Sequence, residues 1–370
     1  MNSVARFPVV ASEVECIVQR RLIDPEVQVT ATQLVEPQTV IALAAGGVER
    51  VARIAVAVEL GIPPTDVPRR LVRPLGDRVE AGEVVAKRWR GLQSVQVTSP
   101  LAGRLAALDE RNGTLTVVAE APRRPVPALV AGEVVRTTEE RVEIRTVGDL
   151  VAGAVLLGPE SAGPLVVLAD RADRELPLEA FDERCRDAIV VAGMTVSSAA
   201  LRRLSELGVA GVIVGGLPVR ALEPFFGTAL LPWLRSLPHD SVTGWPLPFG
   251  VVMLEGFGRI PIAEAVFSIF RERAGRWTTL LRGESVGIDR PVCFMSSRGQ
   301  RGRPLEPVPL CDGGLVHLRI PARPGIGRLC RLPFLARSPE GFAFEAVLVE
   351  RDDRIEVVPV ELVDPLELPS

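Results

Sequence analysis

The chain has 370 residues, 47% of them hydrophobic and 24% charged, which is enough apolar surface for two or three domains with sizeable cores and excludes a disordered polypeptide. Five Cys are too few and odd in number for a disulfide mini-protein, and a net charge of −3 argues against binding nucleic acid along the whole length. Lys87 is the sole lysine, Tyr is absent, and His239 and His317 are the only histidines, so Schiff-base lysines, tyrosine acids and multi-histidine metal sites lack their residues.

Residues 1–20 carry Arg6, Glu13 and Glu15 and lack the apolar core of a secretory signal. The most apolar 20-residue window, Leu150–Ala169, contains Glu160, two Pro and three Gly, and reads as strands and turns rather than a membrane span. The expectation is a cytoplasmic protein with free thiols, no metal and no membrane partner.

Residues 14–46 alternate in short β-like runs. A helix is predicted over 47–60, with Val48, Val51, Ala52, Ala55 and Val58 on one face and Gly61 as its stop. From Leu71 to Val118 turn signals recur every eight to twelve residues, the spacing of a small sandwich or barrel. An internal echo accompanies it. Val35-Glu36-Pro37-Gln38-Thr39-Val40-Ile41-Ala42 resembles Val79-Glu80-Ala81-Gly82-Glu83-Val84-Val85-Ala86, Arg20-Arg21-Leu22 recurs as Arg69-Arg70-Leu71, and Ala102-Gly103-Arg104-Leu105 returns loosely as Ala131-Gly132-Glu133-Val134. Residues 121–127, with three Pro, read as a stiff linker, and further β structure follows to about Ala169.

Near Asp170 the pattern changes. Apolar strands are predicted at Ala188–Ala192, Val209–Val214, Phe249–Leu254 and Trp277–Leu281, with a helix capped by Ser197 and ended by Gly208, and another running from Pro261 to about Arg273. Such alternation predicts a parallel α/β layer covered on both faces, over 171–285. Residues 286–312 read as an Arg/Gly-containing linker, and short strands from Gly313 to the end as a small closed β-barrel.

Gly76-Asp77-x-Val79-x-x-Gly82-Glu83-Val84-Val85-Ala86, followed by Ser99-Pro100-x-Ala102-Gly103, resembles the lipoyl/biotinyl-carrier family, a barrel-sandwich hybrid. The resemblance covers roughly 66–120, and with the echo at 20–42 it implies one such domain over 1–120. In that family a lysine at a hairpin tip carries the cofactor. The matching position here is Leu92, which has no nucleophilic nitrogen, and Lys87 lies five residues earlier, inside a strand. The carrier role therefore does not transfer and no covalent cofactor is expected. Unmodified copies of the fold occur as structural inserts in large assemblies. Gly314-Leu315-Val316-x-Leu318-x-Ile320, Gly325-x-Gly327-Arg328-Leu329 and Val358-Pro359-Val360-Glu361-Leu362 look like a KOW-type SH3-like barrel, a family whose members bind RNA or protein.

Three constellations are candidates for chemistry. Glycine turns after the α/β strands, with Gly193, Thr195, Gly215, Gly216, Gly256 and Gly258, lie where open parallel sheets bind ligands, and Glu255 adds a carboxylate; the bland reading is glycine serving tight turns. Residues 290–337 carry nine Arg against Glu306 and Asp312, whereas 340–367 carry two Arg against nine acids. That asymmetry reads either as a nucleic-acid face with Arg298, Arg301 and Arg303 on a loop, or as a basic segment packed on an acidic one. Cys293, Cys311, His317 and Cys330 lack zinc-site spacing, and Cys185 sits between Arg184 and Arg186, which would lower its pKa unless those charges are solvated. Phe225, Phe226, Trp233 and Trp245 fall in a loop-rich stretch, 218–248, as core or as a partner patch, and His239, after Pro238 in the same stretch, is expected to be exposed. The expectation is a non-catalytic scaffold or binding protein with a protein partner. The alternatives are an enzyme binding a small molecule or phosphoryl group at the glycine rim, or RNA and transcription-complex binding through the C-terminal barrel.

Overall fold

The computed structural model describes residues 5–23, 25–45, 51–90, 93–119, 123–226, 247–297, 301–320, 323–338 and 342–368. The fold is multidomain α+β and β-rich. The chain divides into two compact units: one is Ile23–Glu26 with Leu43–Val126, the other is Met1–Leu22, Val27–Ala42 and Pro127–Ser370. This replaces the expected first domain of 1–120, because the N-terminal strand pairs with residues far downstream. Among the described residues no helix is long and apolar enough to cross a membrane.

In the smaller unit, Val51–Ile54, Thr114–Val118, Gly103–Asp109 and Arg78–Val79 form one antiparallel sheet, and Val84–Arg90 pairs with Gln93–Thr98 as a hairpin. Alternate residues, among them Val79, Val97, Leu105, Leu115 and Val117, point into one core. The predicted helix over 47–60 is a helix only over Val56–Leu60; residues 46–50 lie outside the described set and Val51–Ile54 is a strand. Pairing of Ile54 with Leu115 and Val51 with Val118 overrides the helical period, and the buried helix residues are Val56, Ala57 and Leu60 rather than the expected Val58, which is exposed. The last described pair of the hairpin is Arg90 with Gln93, so Leu92 at the tip falls outside the described residues, while Lys87 lies exposed in the strand opposite Gln96.

The echo has a structural counterpart, but not the predicted one. Of residues 20–42 only Ile23–Glu26 fall in the unit around 66–120; Val27–Ala42 belong to the larger unit, where Leu34–Val35 pairs with Gly132–Thr137. In both units a four-residue turn closes the same way. Thr39 Oγ1 accepts from Glu36 N at 2.9 Å, and Glu83 Oε2 accepts from Glu80 N at 2.9 Å. The bond from Leu105 N to Asp77 O (2.9 Å) matches that from Val134 N to Gln33 O (2.9 Å), and Gly76 N to Leu105 O (2.8 Å) matches Thr32 N to Val134 O (2.7 Å). Val79 pairs with Gly103 as Val35 pairs with Gly132, and the following strands share a bulge, at 105–107 and at 134–136. The chain thus leaves the larger unit after Ala42, builds the smaller one with its matching turn and bulge, and re-enters the larger at Pro127, at the end of Arg123–Pro127, a strand where the sequence suggests a stiff linker.

The two glycines of the echo mark the same close approach. A Cβ on Gly103 would stand 2.2 Å from Val118 O, and one on Gly132 would stand 2.1 Å from Arg145 O. We expect Gly103→Ala and Gly132→Ala each to cost about 1–3 kcal/mol, because rigid neighbouring backbone must move. Gly208→Ala has open space and pays only for its left-handed φ of 74°, about 1–2 kcal/mol. Urea unfolding of the three variants checks the ranking.

In the larger unit, Arg141–Ala152 pairs along its length with Val10–Arg21 on one edge, while Gly132–Thr137 and Val292–Ser296 share the other. Val292–Ser296 carries the sheet onward through Trp277–Leu281 to Ser161–Val167. From there four strands run parallel in sequence order: Ser161–Val167, Ile189–Val191, Gly211–Leu217 and Gly250–Phe257. The layer is therefore parallel, but Ser161–Val167 is its fourth parallel strand and Trp277–Leu281 is antiparallel. The α/β layer accordingly begins before residue 171, and the expected 286–312 linker contains a sheet strand. Both faces are covered. Val190, Val212 and Val214 pack on Leu201 and Leu204 of helix Ser198–Leu207, and Ile189, Val191 and Ile213 on Phe267 and Phe270 of helix Glu264–Glu272. Ser197 Oγ caps the first helix by accepting from Ala200 N, and Gly208 ends it with φ 74°. A helix at Val219–Phe226 lies in the stretch expected to be loop; Phe225 packs against the core, and Trp233, His239 and Trp245 lie outside the described residues.

The C-terminal strands Leu315–Leu318, Gly325–Arg337, Ala343–Arg351, Arg354–Pro359 and Val363–Pro365 form an antiparallel sheet in which the last strand returns beside the first after a 3₁₀ turn at 360–362. The sheet curls as a small barrel-like unit, with Val316, Leu318, Leu329, Val347, Val349 and Val358 inside.

Candidate functional site

The carboxyl ends of the parallel strands bring Gly193, Gly215, Gly216, Gly256 and Gly258 to one rim. An anion site there needs free backbone N–H groups and open space. Gly215 and Gly216 offer neither. Gly215 N donates to Gly193 O (2.9 Å), Gly216 N to Met194 O (2.9 Å) and Gly258 N to Leu217 O (3.1 Å). The space over three of the glycines is filled by the chain itself: a Cβ on Gly215 would meet Ile260 O at 2.1 Å, one on Gly216 would meet Gly258 O at 2.6 Å, and one on Gly193 would meet Arg174 O at 2.6 Å, whereas over Gly256 the nearest atom is Ala154 Cβ at 4.0 Å. Gly193, Gly256 and Gly258 also have φ of 79°, 103° and 136°, so their glycine identity is accounted for by turn geometry and close packing. Thr195 is buried, and its Oγ1 has no hydrogen-bond partner.

Glu255 turns from this rim onto the barrel. Its Oε2 lies 2.9 Å from Nε2 of His317, and both side chains are at most 5% exposed. Strand alternation explains the meeting. Val316 and Leu318 point into the barrel core, so Leu315 and His317 point outward, and Leu315 packs at the edge of the core beneath helix Glu264–Glu272. Nδ1 of His317 is buried without a partner. An imidazole beside a carboxylate is the usual acid–base pairing, and here both partners are buried.

The arginine candidates divide. Arg298 lies outside the described residues, and Arg301 is exposed. Arg303 is not on a free loop: Arg303–Pro304 pairs with Val14–Glu15, and its guanidinium binds the Glu367 carboxylate. The basic and acidic segments meet repeatedly, in Arg290–Asp364 (2.8 Å), Arg319–Asp364 (2.7 Å) and Arg323–Glu356 (2.7 Å). Four of the nine arginines of 290–337, Arg290, Arg303, Arg319 and Arg323, thus pair with acids of 340–367. Cys185 is buried, and burial pushes its thiol up rather than down; Arg184 and Arg186 are held by Asp182 and Glu183. Burial likewise pushes Cys16 up to about 12 and raises Cys293. The five cysteines are unpaired, with Cys311 and Cys330 exposed. Among the described residues no group of three metal-ligating side chains gathers.

Sequence reasoning missed two buried carboxylates. Asp149 accepts from Glu13 N (2.9 Å), Arg273 Nε (2.6 Å) and Arg276 (3.0 Å). Asp364 receives Arg290, Arg319 and, at 3.5 Å, Arg6. The signal was present, since each Asp interrupts an apolar run, 147–152 and 358–366. A cavity of about 730 Å³ also went unread; it is lined by Gln38, Arg276, Trp277 and Ser296 among others. Its size suits a small molecule. Its two charged lining groups are Glu36 and Arg276, and Arg276 is already committed to Asp149, so few polar groups converge on it. Comparison with family models, with curated proteins and with solved structures finds no match for this chain.

Proposed function

We propose that this chain is a non-catalytic scaffold or binding protein within a larger assembly, without a covalent cofactor. The observation that carries the reading is the glycine rim, where the N–H groups of Gly215, Gly216 and Gly258 are spent on backbone oxygens and the space over Gly215 and Gly216 is filled by residues 258–262. Leu92 in place of an acceptor lysine and the burial of the Glu255–His317 pair point the same way. The unpaired cysteines fit a reducing compartment such as the cytoplasm.

Thermal unfolding with inorganic phosphate, ATP or NAD is the test of the rim. A ligand bound at about 100 times its Kd adds about 2.7 kcal/mol, which a melting curve resolves readily. We expect no change in Tm with any of the three. A saturable rise overturns the reading. So does cross-linking in native extract that never returns the same partner twice.

A further inference from the structure

We propose that the edge strand Arg354–Pro359 of the C-terminal barrel is a dimerisation edge that pairs antiparallel with the same strand of a second copy of this chain. The inference stands apart from the scaffold reading. It begins with the turn. Arg351 pairs with Arg354 across Asp352 and Asp353, which have φ of 52° and 59°. That is a two-residue hairpin with both central residues left-handed, in which the flanking residues exchange backbone hydrogen bonds. Alternation then points the N–H and C=O of Arg354, Glu356 and Val358 at the neighbouring strand Ala343–Arg351. Those of Ile355 and Val357 point to the open edge. Among the described residues no strand pairs with that edge.

The edge carries Pro359 and the charges of Arg354 and Glu356, but its middle is open. Its pairing with Ala343–Arg351 shows no bulge, it carries no lysine, and its outward side chains are Ile355, 66% exposed, and Val357, 54% exposed. Leu348 lies directly opposite Val357 on the same face and extends the apolar surface inward. Proline at 359 has no N–H, so the run of free donors stops there.

A second copy fits these groups in one register. With Glu356 on the twofold axis, Ile355 of each chain faces Val357 of the other. The two N–H and two C=O groups that each strand leaves open then form four hydrogen bonds, and the four exposed apolar side chains pair across the seam. Charge agrees with the register. Arg354, exposed, comes diagonal to the partner's Glu356, within reach of a long side chain. The two glutamates that meet on the axis are each already held by Arg323 at 2.7 Å and Arg351 at 3.4 Å, so cations outnumber carboxylates at the only like-charge contact.

Sedimentation velocity of the full chain tests this. The wild-type chain is expected to be a dimer. Ile355→Lys with Val357→Lys places like charges opposite one another and is expected to give a monomer, as is Ile355→Glu with Val357→Glu. An equimolar mixture of the two doubles is expected to dimerise, because each lysine then faces a glutamate. Both residues are exposed on the outer face, and circular dichroism of each double checks that the barrel is folded. Should a double fail to fold, Val357→Pro removes one edge donor while leaving the inner ladder intact, and it is expected to be monomeric. A monomeric wild type overturns the proposal and leaves the edge to a strand of another protein. A dimer that survives either double, or a mixture that stays monomeric, overturns it as well. None of these results moves the Tm test of the glycine rim, so the two ideas fail separately.

Discussion

Asp364→Ala is expected to cost about 3–5 kcal/mol, the penalty for leaving a buried charge without its partner. Asp364 is 3% exposed and its carboxylate gathers three guanidinium groups drawn from distant parts of the chain: Arg6 near the first strand, Arg290 before the sheet strand Val292–Ser296, and Arg319 in the barrel. Arg290 decides the magnitude. Its side chain is 10% exposed, burial pushes its pKa down, Arg319 pushes the same way, and Asp364 is the main group opposing both. Without the carboxylate, Arg290 must draw in water or leave its site. Either route loosens the barrel from the sheet, since Asp364 lies in the strand Val363–Pro365 that pairs with Leu315–Leu318. Hydrogen exchange should therefore show protection lost at 315–318 and 363–365 before the parallel strands are affected. Replacing both members, as Asp364→Leu with Arg290→Met, is expected to cost less than Asp364→Ala alone, because no charge is then left unpaired. A double that costs the sum of its singles removes this account.

The same cluster shows what the sequence made legible. Helix Ser198–Leu207 could be read because its start and stop are local: Ser197 caps it and Gly208 supplies the left-handed exit. The echoed turns at 36–39 and 80–83 could be read for the same reason, since each is closed by a side chain three residues from the amide it caps. The direction of Trp277–Leu281 could not. A strand buried on both faces is a plain apolar run whether its neighbours are parallel or antiparallel, and the partner that decides, Ser161–Val167, lies more than a hundred residues upstream. The position of the echo failed similarly. Two similar β units read as halves of one domain, whereas in sequence one unit is inserted between segments of the other, which pairing such as Gly132 with Val35 reveals. Glu255 was read as a rim carboxylate, but its partner is His317, 62 residues away, and spacing does not encode that meeting. The arginines of 290–337 were ambiguous for the same reason, because their carboxylates sit in another segment.

Asp149 carries the other large expectation, and its burden is partly backbone strain. Strand Val10–Arg21 bulges where Gly148 pairs with Val14 and Leu150 with Ala11, and Glu13 within the bulge has φ 49°. A residue other than glycine in that region stores on the order of 1–3 kcal/mol, which persists only if the surroundings hold it. Asp149, 1% exposed, does the holding: Oδ1 accepts from Glu13 N, while Oδ2 receives Arg273 and Arg276. Asp149→Ala removes the acceptor that fixes the bulge and the buried counter-charge of two arginines together, leaving Arg273 only the exposed Glu272 at 3.4 Å, so a loss of about 3–5 kcal/mol is expected. It also releases Arg276, a wall of the 730 Å³ cavity, whereas Arg273 is 19% exposed and has little room to find water. A companion variant separates strain from charge. Glu13→Gly keeps the amide that Asp149 binds and relieves the left-handed φ, so it is expected to leave stability unchanged or raise it by up to about 1 kcal/mol. In the Asp149→Ala background the same glycine should recover part of the loss, because strain is the part it can remove. Urea unfolding of the two singles and the double measures each quantity. A Glu13→Gly that destabilises as much as Asp149→Ala would show that the exposed Glu13 side chain, not its backbone, is what the bulge needs.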